Sequence, residues 1–142
     1  MIYLDSSCLL KLFLDEPESA AVRIAVSKED EVIVSTLTRL ETQIQLKSGW
    51  LGGNYGKSRY LAFMDELDAL LKSAPFLFVD LGGNVFSTAI RQDWKAGPFH
   101  LRTLDRLHLA SMQELNVRRL ITNDANQSAA ATALGFEVVM PR

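Results

Sequence analysis

A chain of 142 residues, 48% hydrophobic and 23% charged, carries enough apolar material for one buried core and a charged surface. The single cysteine, Cys8, excludes an intrachain disulfide, and with only two histidines beside it argues against a structural zinc site. A net charge of −2 speaks against a general nucleic-acid coat protein, although cations bound among converging acids would leave the remaining surface mildly basic.

The opening Ile2-Tyr3-Leu4 is short and bulky and stops at Asp5-Ser6-Ser7, as a central buried strand does. It carries no basic leader, so no signal peptide is expected. Leu9, Leu10, Leu12, Phe13 and Leu14 predict a short helix closed by Asp15-Glu16-Pro17. Ser19 to Ser27 predicts a second helix, with Ala21, Val22, Ala25 and Val26 on one face. Val32-Ile33-Val34 is a second strand. A helix starts near Thr36 or Thr38 with Leu37, Leu40 and Ile44 aligned, and Gly49 to Gly56 marks a break. Lys57 to Lys72 predicts a long amphipathic helix aligned on Leu61, Met64, Leu67 and Leu71, followed by a third strand, Phe76–Val79. Asn84 to Lys95 predicts a helix with Val85, Phe86, Ala89, Ile90 and Trp94 inward, stopped by Gly97-Pro98. Thr103 caps a helix over Leu104 to Leu115, with Asn116 at its C-terminal end. Arg119 to Thr122 enters a fourth strand, Ser128 to Leu134 an Ala-rich helix, and Phe136 to Val139 the last strand.

Short apolar runs alternating with helical segments predict an α/β fold, a central parallel sheet of four to five strands flanked by helices with right-handed crossovers. No linker or repeat divides the chain, so residues 1–142 read as one domain. No apolar run approaches the roughly 18 residues of a membrane span, and a cytoplasmic location is expected.

Open α/β sheets bind ligands beyond the carboxyl ends of their strands. Asp5 directly follows the first strand and Asp124 the fourth, while Glu41 and Asp105 sit early in the helices beginning near Thr38 and Thr103. Converging carboxylates repel one another unless a cation stands between them. Hard divalent ions, Mg²⁺ or Mn²⁺, accept such oxygen donors together with water and phosphate oxygens, lower the pKa of bound water and stabilise charge on a phosphodiester. Each acid also has a plain structural role available. Asp5 fits a turn or helix cap, Glu41 a capping box with Thr38, Asp105 a first-turn dipole partner, and Asp124 turn chemistry.

The four acids with their neighbours resemble the PIN-domain nucleases, especially the toxins of VapBC-type toxin–antitoxin pairs. Met1 to Phe13 is similar to the opening strand, first acid, hydroxyl residue and apolar helix, and Ser35-Thr36-Leu37-Thr38-Arg39-Leu40-Glu41 to the second segment. Leu104-Asp105-Arg106-Leu107-His108-Leu109-Ala110 is similar to the third, and Leu120-Ile121-Thr122-Asn123-Asp124 to the fourth. The resemblance implies a PIN-like three-layer sandwich and Mg²⁺ or Mn²⁺ held by Asp5, Glu41, Asp105 and Asp124. It further implies endonucleolytic RNA cleavage, a homodimer, and a small antitoxin whose tail blocks the site. One residue departs: the position after the third acid is commonly small in the family and is Arg106 here, a candidate RNA contact or a surface side chain.

Ser6, Thr122 and Asn123 are candidate supports for the acids, with capping and turn bonding as their structural alternative. Asn126 is read as turn chemistry, His108 as a packed histidine, Cys8 as a buried thiol, and Trp50 and Trp94 as helix-packing residues. Arg39 and Arg102 are candidate phosphate contacts. A different class also fits the alternation of elements: a phosphoacceptor receiver with Asp80 after the third strand, or a non-catalytic RNA-binding scaffold. The receiver reading lacks its paired N-terminal acids and late lysine.

Overall fold

The computed structural model describes residues 1–142. Five strands form one sheet: β1 (Ile2–Leu4), β2 (Val32–Ser35), β3 (Phe76–Val79), β4 (Arg119–Ile121) and β5 (Glu137–Val139). All pairings are parallel, in the order β3-β2-β1-β4-β5. The helices are α1 (Ser6–Leu10), α2 (Ser19–Ser27), α3 (Thr36–Leu51), α4 (Lys57–Leu71), α5 (Asn84–Lys95), α6 (Thr103–Glu114) and α7 (Ala125–Ala133).

Alternation along the strands divides the interior in two. Ile2, Leu4, Val32, Val34 and Ile121 pack with Cys8 and Leu9 of α1, Val22 and Val26 of α2, and Leu67 and Leu71 of α4. On the opposite face Tyr3, Ile33 and Leu120 pack with Leu109 and Met112 of α6 and Ala130 and Ala131 of α7. The result is the expected helix–sheet–helix sandwich. Because the chain leaves β1 toward β2 and later returns to β4 on β1's other side, the connections after β1 and β4 diverge. A crevice opens there, at the carboxyl edge of the sheet.

Several expectations change. The first helix is Ser6–Leu10, and Leu12, Phe13 and Leu14 lie in the turns after it. It begins earlier because the Asp5 side chain caps it. α7 likewise starts at Ala125 rather than Ser128, capped by Asp124. α3 continues through Gly49 to Leu51, and its cap is Ser35 rather than Thr38. Its buried seam is Thr38, Thr42 and Leu46, while Leu40 and Ile44 are 53% and 54% exposed. Thr38 turns inward because its hydroxyl finds the Leu4 carbonyl at 3.2 Å and the Tyr3 hydroxyl at 3.3 Å. The largest reversal is α5. Val85 and Ala89 are buried against Ala110 of α6, but Phe86, Ile90 and Trp94 point outward. This helix packs on another helix through small residues and has no sheet beneath it, so only half of its apolar surface is covered. Trp50 does pack as expected, stacked on Tyr60 with ring centroids 5.2 Å apart.

Leu61 and Leu67 share the apolar pattern of α4, yet Leu67 is fully buried and Leu61 is 50% exposed. Leu67→Ala is expected to lower unfolding free energy by about 2–5 kcal/mol, and Leu61→Ala by less than about 0.5 kcal/mol. Urea titration measures both; equal losses would contradict this placement of α4.

Candidate active site

Four elements deliver one acid each to a single cavity of about 430 Å³. Asp5, Glu41, Asp105 and Asp124 line it together with Ser6, Ser7, Gln45, Arg102 and His108. Asp5 arrives first, on the backbone of the central strand, its N–H donating to the Ile121 carbonyl at 3.2 Å. One carboxylate oxygen accepts from the Cys8 N–H at 3.0 Å and the Ser7 hydroxyl at 2.8 Å. The other accepts from the Thr122 hydroxyl. The cap role foreseen for Asp5 is therefore real, and it orients the carboxylate beside the cavity. Asp5 is almost fully buried. Burial pushes its pKa up, and the bonds from Thr122, Cys8 and Ser7 oppose that rise.

Thr122 couples two acids, since the oxygen that donates to Asp5 also accepts the Asp124 N–H at 3.1 Å. Asp124 uses Oδ1 to cap α7 through the Gln127 N–H at 2.8 Å, leaving Oδ2 toward the cavity. Asp105, in the first turn of α6, has its Oδ2 2.9 Å from Arg102 Nε. The same guanidinium lies 3.5 Å from Asp124 Oδ2. With its side chain 74% exposed, Arg102 holds these acids by contacts worth only about 0–1 kcal/mol.

Glu41 is held differently. It makes no capping box with Thr38; its carboxylate accepts from His108 Nε2. His108 is buried, and its Nδ1 lies 2.8 Å from the Tyr3 hydroxyl, itself 2.7 Å from the Ser35 hydroxyl. Burial alone would lower the ring's pKa, but Tyr3 and Glu41 outweigh it and push it up to about 10. The imidazolium therefore donates at both nitrogens. The packed histidine expected from its apolar helix is indeed packed, but it also positions an acid. No local spacing reveals this, because Glu41 and His108 are 67 residues apart.

The other candidates divide. Ser6 lines the cavity. Asn123 turns away: its Oδ1 accepts from Lys11 at 3.1 Å and its amide donates to the Pro141 carbonyl at 2.5 Å. Asn126 lines an adjoining recess with His100, Arg102, Asp105 and Asp124. Arg39 is paired with Asp68 at 2.6 Å. Arg106 is neither at the acid cavity nor on the surface. It is buried in a second cavity against α5. Cys8 is buried, and burial with the nearby Asp5 charge pushes its thiol pKa up, so it is no nucleophile. Asp80 is exposed just after β3, the edge strand, two strands from β1 and Asp5, which leaves a receiver-type acid cluster unformed.

No three His, Cys, Asp or Glu side chains are drawn together into a closed coordination shell. The donor set nonetheless fits a hard divalent cation held by a few carboxylates with water completing the sphere. Arg102 lying between Asp105 and Asp124 shows that these acids already take a positive charge.

A parallel sheet gathers four carboxylates into one cavity at its carboxyl edge, and comparison with known proteins gives the family. The sequence model of the PIN domain matches residues 2–133, and the chain belongs to the PIN-domain family. It is 35% identical over 142 residues to Ribonuclease VapC46 of Mycobacterium tuberculosis, covering 99% of this chain and 97% of that protein. In fold it is similar to the crystal structure of Mycobacterium tuberculosis VapC20, a Sarcin-Ricin loop cleaving toxin, with a TM-score of 0.75, 20% identity and coverage of 99% and 100%. A toxin–antitoxin complex from Klebsiella pneumoniae gives a TM-score of 0.67 at 17% identity, covering 100% of this chain and 98% of that one.

His108→Gln keeps a polar side chain but removes the positive charge that holds Glu41. The expected loss of unfolding free energy is about 1.5–3 kcal/mol, measured by urea denaturation at neutral pH. An unchanged midpoint would mean that the Tyr3–His108–Glu41 chain contributes nothing to stability.

Proposed function

We propose that this chain is a divalent-metal-dependent endoribonuclease, the toxin of a type II toxin–antitoxin pair, acting as one nuclease domain over residues 1–142 in the cytoplasm. The observation that carries the reading is the delivery of Asp5, Glu41, Asp105 and Asp124 by four separate elements to one cavity. The full-length likeness to a VapC ribonuclease supports it. No helix is long and apolar enough to cross a membrane.

Asp5, Asp105, Asp124 and Glu41 would hold Mg²⁺ or Mn²⁺, which supplies the positive charge that lowers the pKa of water and stabilises a phosphodiester under attack. The chain's own residues prepare the site. Ser7 and Thr122 fix the Asp5 carboxylate, Thr122 ties it to Asp124, and His108 holds Glu41 at the cavity wall. Arg102, freed from its two acids, is placed to meet an RNA phosphate entering the same cavity. Ser6 offers a hydroxyl to solvent or substrate there.

We also infer two protein partners. A cognate antitoxin is supported by the likeness to a toxin–antitoxin complex. A homodimer is supported by the outward stripe of α5, where Phe86, Ile90 and Trp94 recur at i, i+4 and i+8 with exposures of 61%, 69% and 86%. Leu40 and Ile44 of α3 add exposed apolar surface.

Purified protein is expected to cut RNA with Mg²⁺ or Mn²⁺ and to stop when EDTA is added. Asp5→Asn and Asp105→Asn should lower the cleavage rate on the order of 10²-fold or more while circular dichroism stays native. Full cleavage in excess EDTA removes the metal reading. Ile90→Glu should convert a dimer to a monomer by light scattering, and a persistent dimer would place the interface elsewhere.

A further inference from the structure

Arg106 presents an unresolved charge. The residue is 6% exposed, its Nε has no hydrogen-bond partner, and the acid that acts on its charge, Asp93 of the same chain, stays beyond ion-pairing distance. Buried cations in native proteins are paired or hydrogen-bonded, because removing an ion from water is costly when nothing replaces the water. The side chain faces a cavity of about 430 Å³ between α5 and α6, whose walls include Phe86, Ala89, Ile90 and Leu107. An apolar cavity floored by an unpaired guanidinium calls for a ligand carrying both a carboxylate and apolar surface.

The same patch carries such a carboxylate. Asp93 of α5 lines the cavity, is exposed, and is likewise in no ion pair. It stands beside the outward stripe of Phe86, Ile90 and Trp94. A patch with an apolar stripe, one buried cation and one free acid is complementary to itself. Under two-fold symmetry, every contact made by one copy is repeated by the other. We propose that the cavity is filled by a second copy of this chain, with Arg106 of each copy taking the Asp93 carboxylate of the other across the α5 stripe. The inference rests on the homodimer reading and specifies its polar contact. RNA is a poorer occupant, since successive phosphates ask for several cations, whereas the walls here are largely apolar and include an acid.

Sedimentation equilibrium on the full chain tests this with Arg106→Met, Asp93→Asn and the charge exchange Arg106→Glu with Asp93→Arg. Either single variant is expected to raise the dimer dissociation constant about tenfold or more, and the exchanged pair to recover most of that loss. In a monomeric Ile90→Ser/Trp94→Ser background, which adds no charge beside the cavity, Arg106→Met should raise the melting temperature, because it removes a cation that one chain leaves unpaired. Dimerisation of Arg106→Met within about twofold of the unsubstituted protein would overturn the proposal while leaving the homodimer standing. An unsubstituted chain that stays monomeric at about 100 μM, far above a micromolar dissociation constant, would overturn both. Equal drops in melting temperature for Arg106→Met and Asp93→Asn in the monomeric background would show that the pair closes within one chain. Loss of RNA binding by Arg106→Met with dimerisation intact would make a phosphate the occupant. Either of these last results overturns the inter-subunit pair.

Discussion

The site of this structure depends on four carboxylates, each held by a different partner. Asp5, Glu41, Asp105 and Asp124 are separated in sequence by tens of residues, yet all reach one cavity at the carboxyl edge of the sheet. The fold supplies these partners from separate elements. Asp5 takes hydroxyl and backbone donors, Glu41 takes an imidazolium, and Asp105 and Asp124 share an arginine. The first two arrangements are largely buried and stiff. The third rests on an arginine whose side chain lies open to solvent.

The buried chain from Ser35 through Tyr3 and His108 to Glu41 shows how the core and the site share residues. Tyr3 is a strand residue packed in the second hydrophobic cluster, and its hydroxyl reaches the ring of His108. Ser35 serves twice, capping α3 and bonding the same hydroxyl. Because Glu41 follows from α3 and His108 from α6, this chain also sets the relative placement of the two helices that carry the second and third acids.

The two cavities flank α6 and differ in kind. Asp105 faces one that is polar and acidic, and Arg106, the next residue, faces one that is mostly apolar. Consecutive positions on a helix point roughly 100° apart, which is enough to serve two surfaces. A contact made at the α5 face therefore bears on the same helical turn that holds the third acid.

Strand and helix identity were legible in the chain itself, because apolar runs and their punctuation are local properties. All five strands and most helices fall close to where periodicity places them; α1 starts and ends earlier, α7 starts earlier, and α3 runs past Gly49 into the expected break. The parallel sheet and the four acids were legible for the same reason, the acids through their positions after strands and in first helical turns. Facing was not legible where an element packs on something other than the sheet. Val85 and Phe86 have equal claims to the core on hydrophobicity, and only the close approach of α5 to Ala110 decides that the first is buried and the second exposed. Thr38 defeats Leu40 for a like reason, a carbonyl of β1 waiting for its hydroxyl. The pairings of His108 with Glu41 and Arg102 with Asp124, and the burial of Arg106, join or enclose residues remote along the chain. Composition and period determined what this protein is built from; the distances that decide which charges meet exist only once the chain is folded.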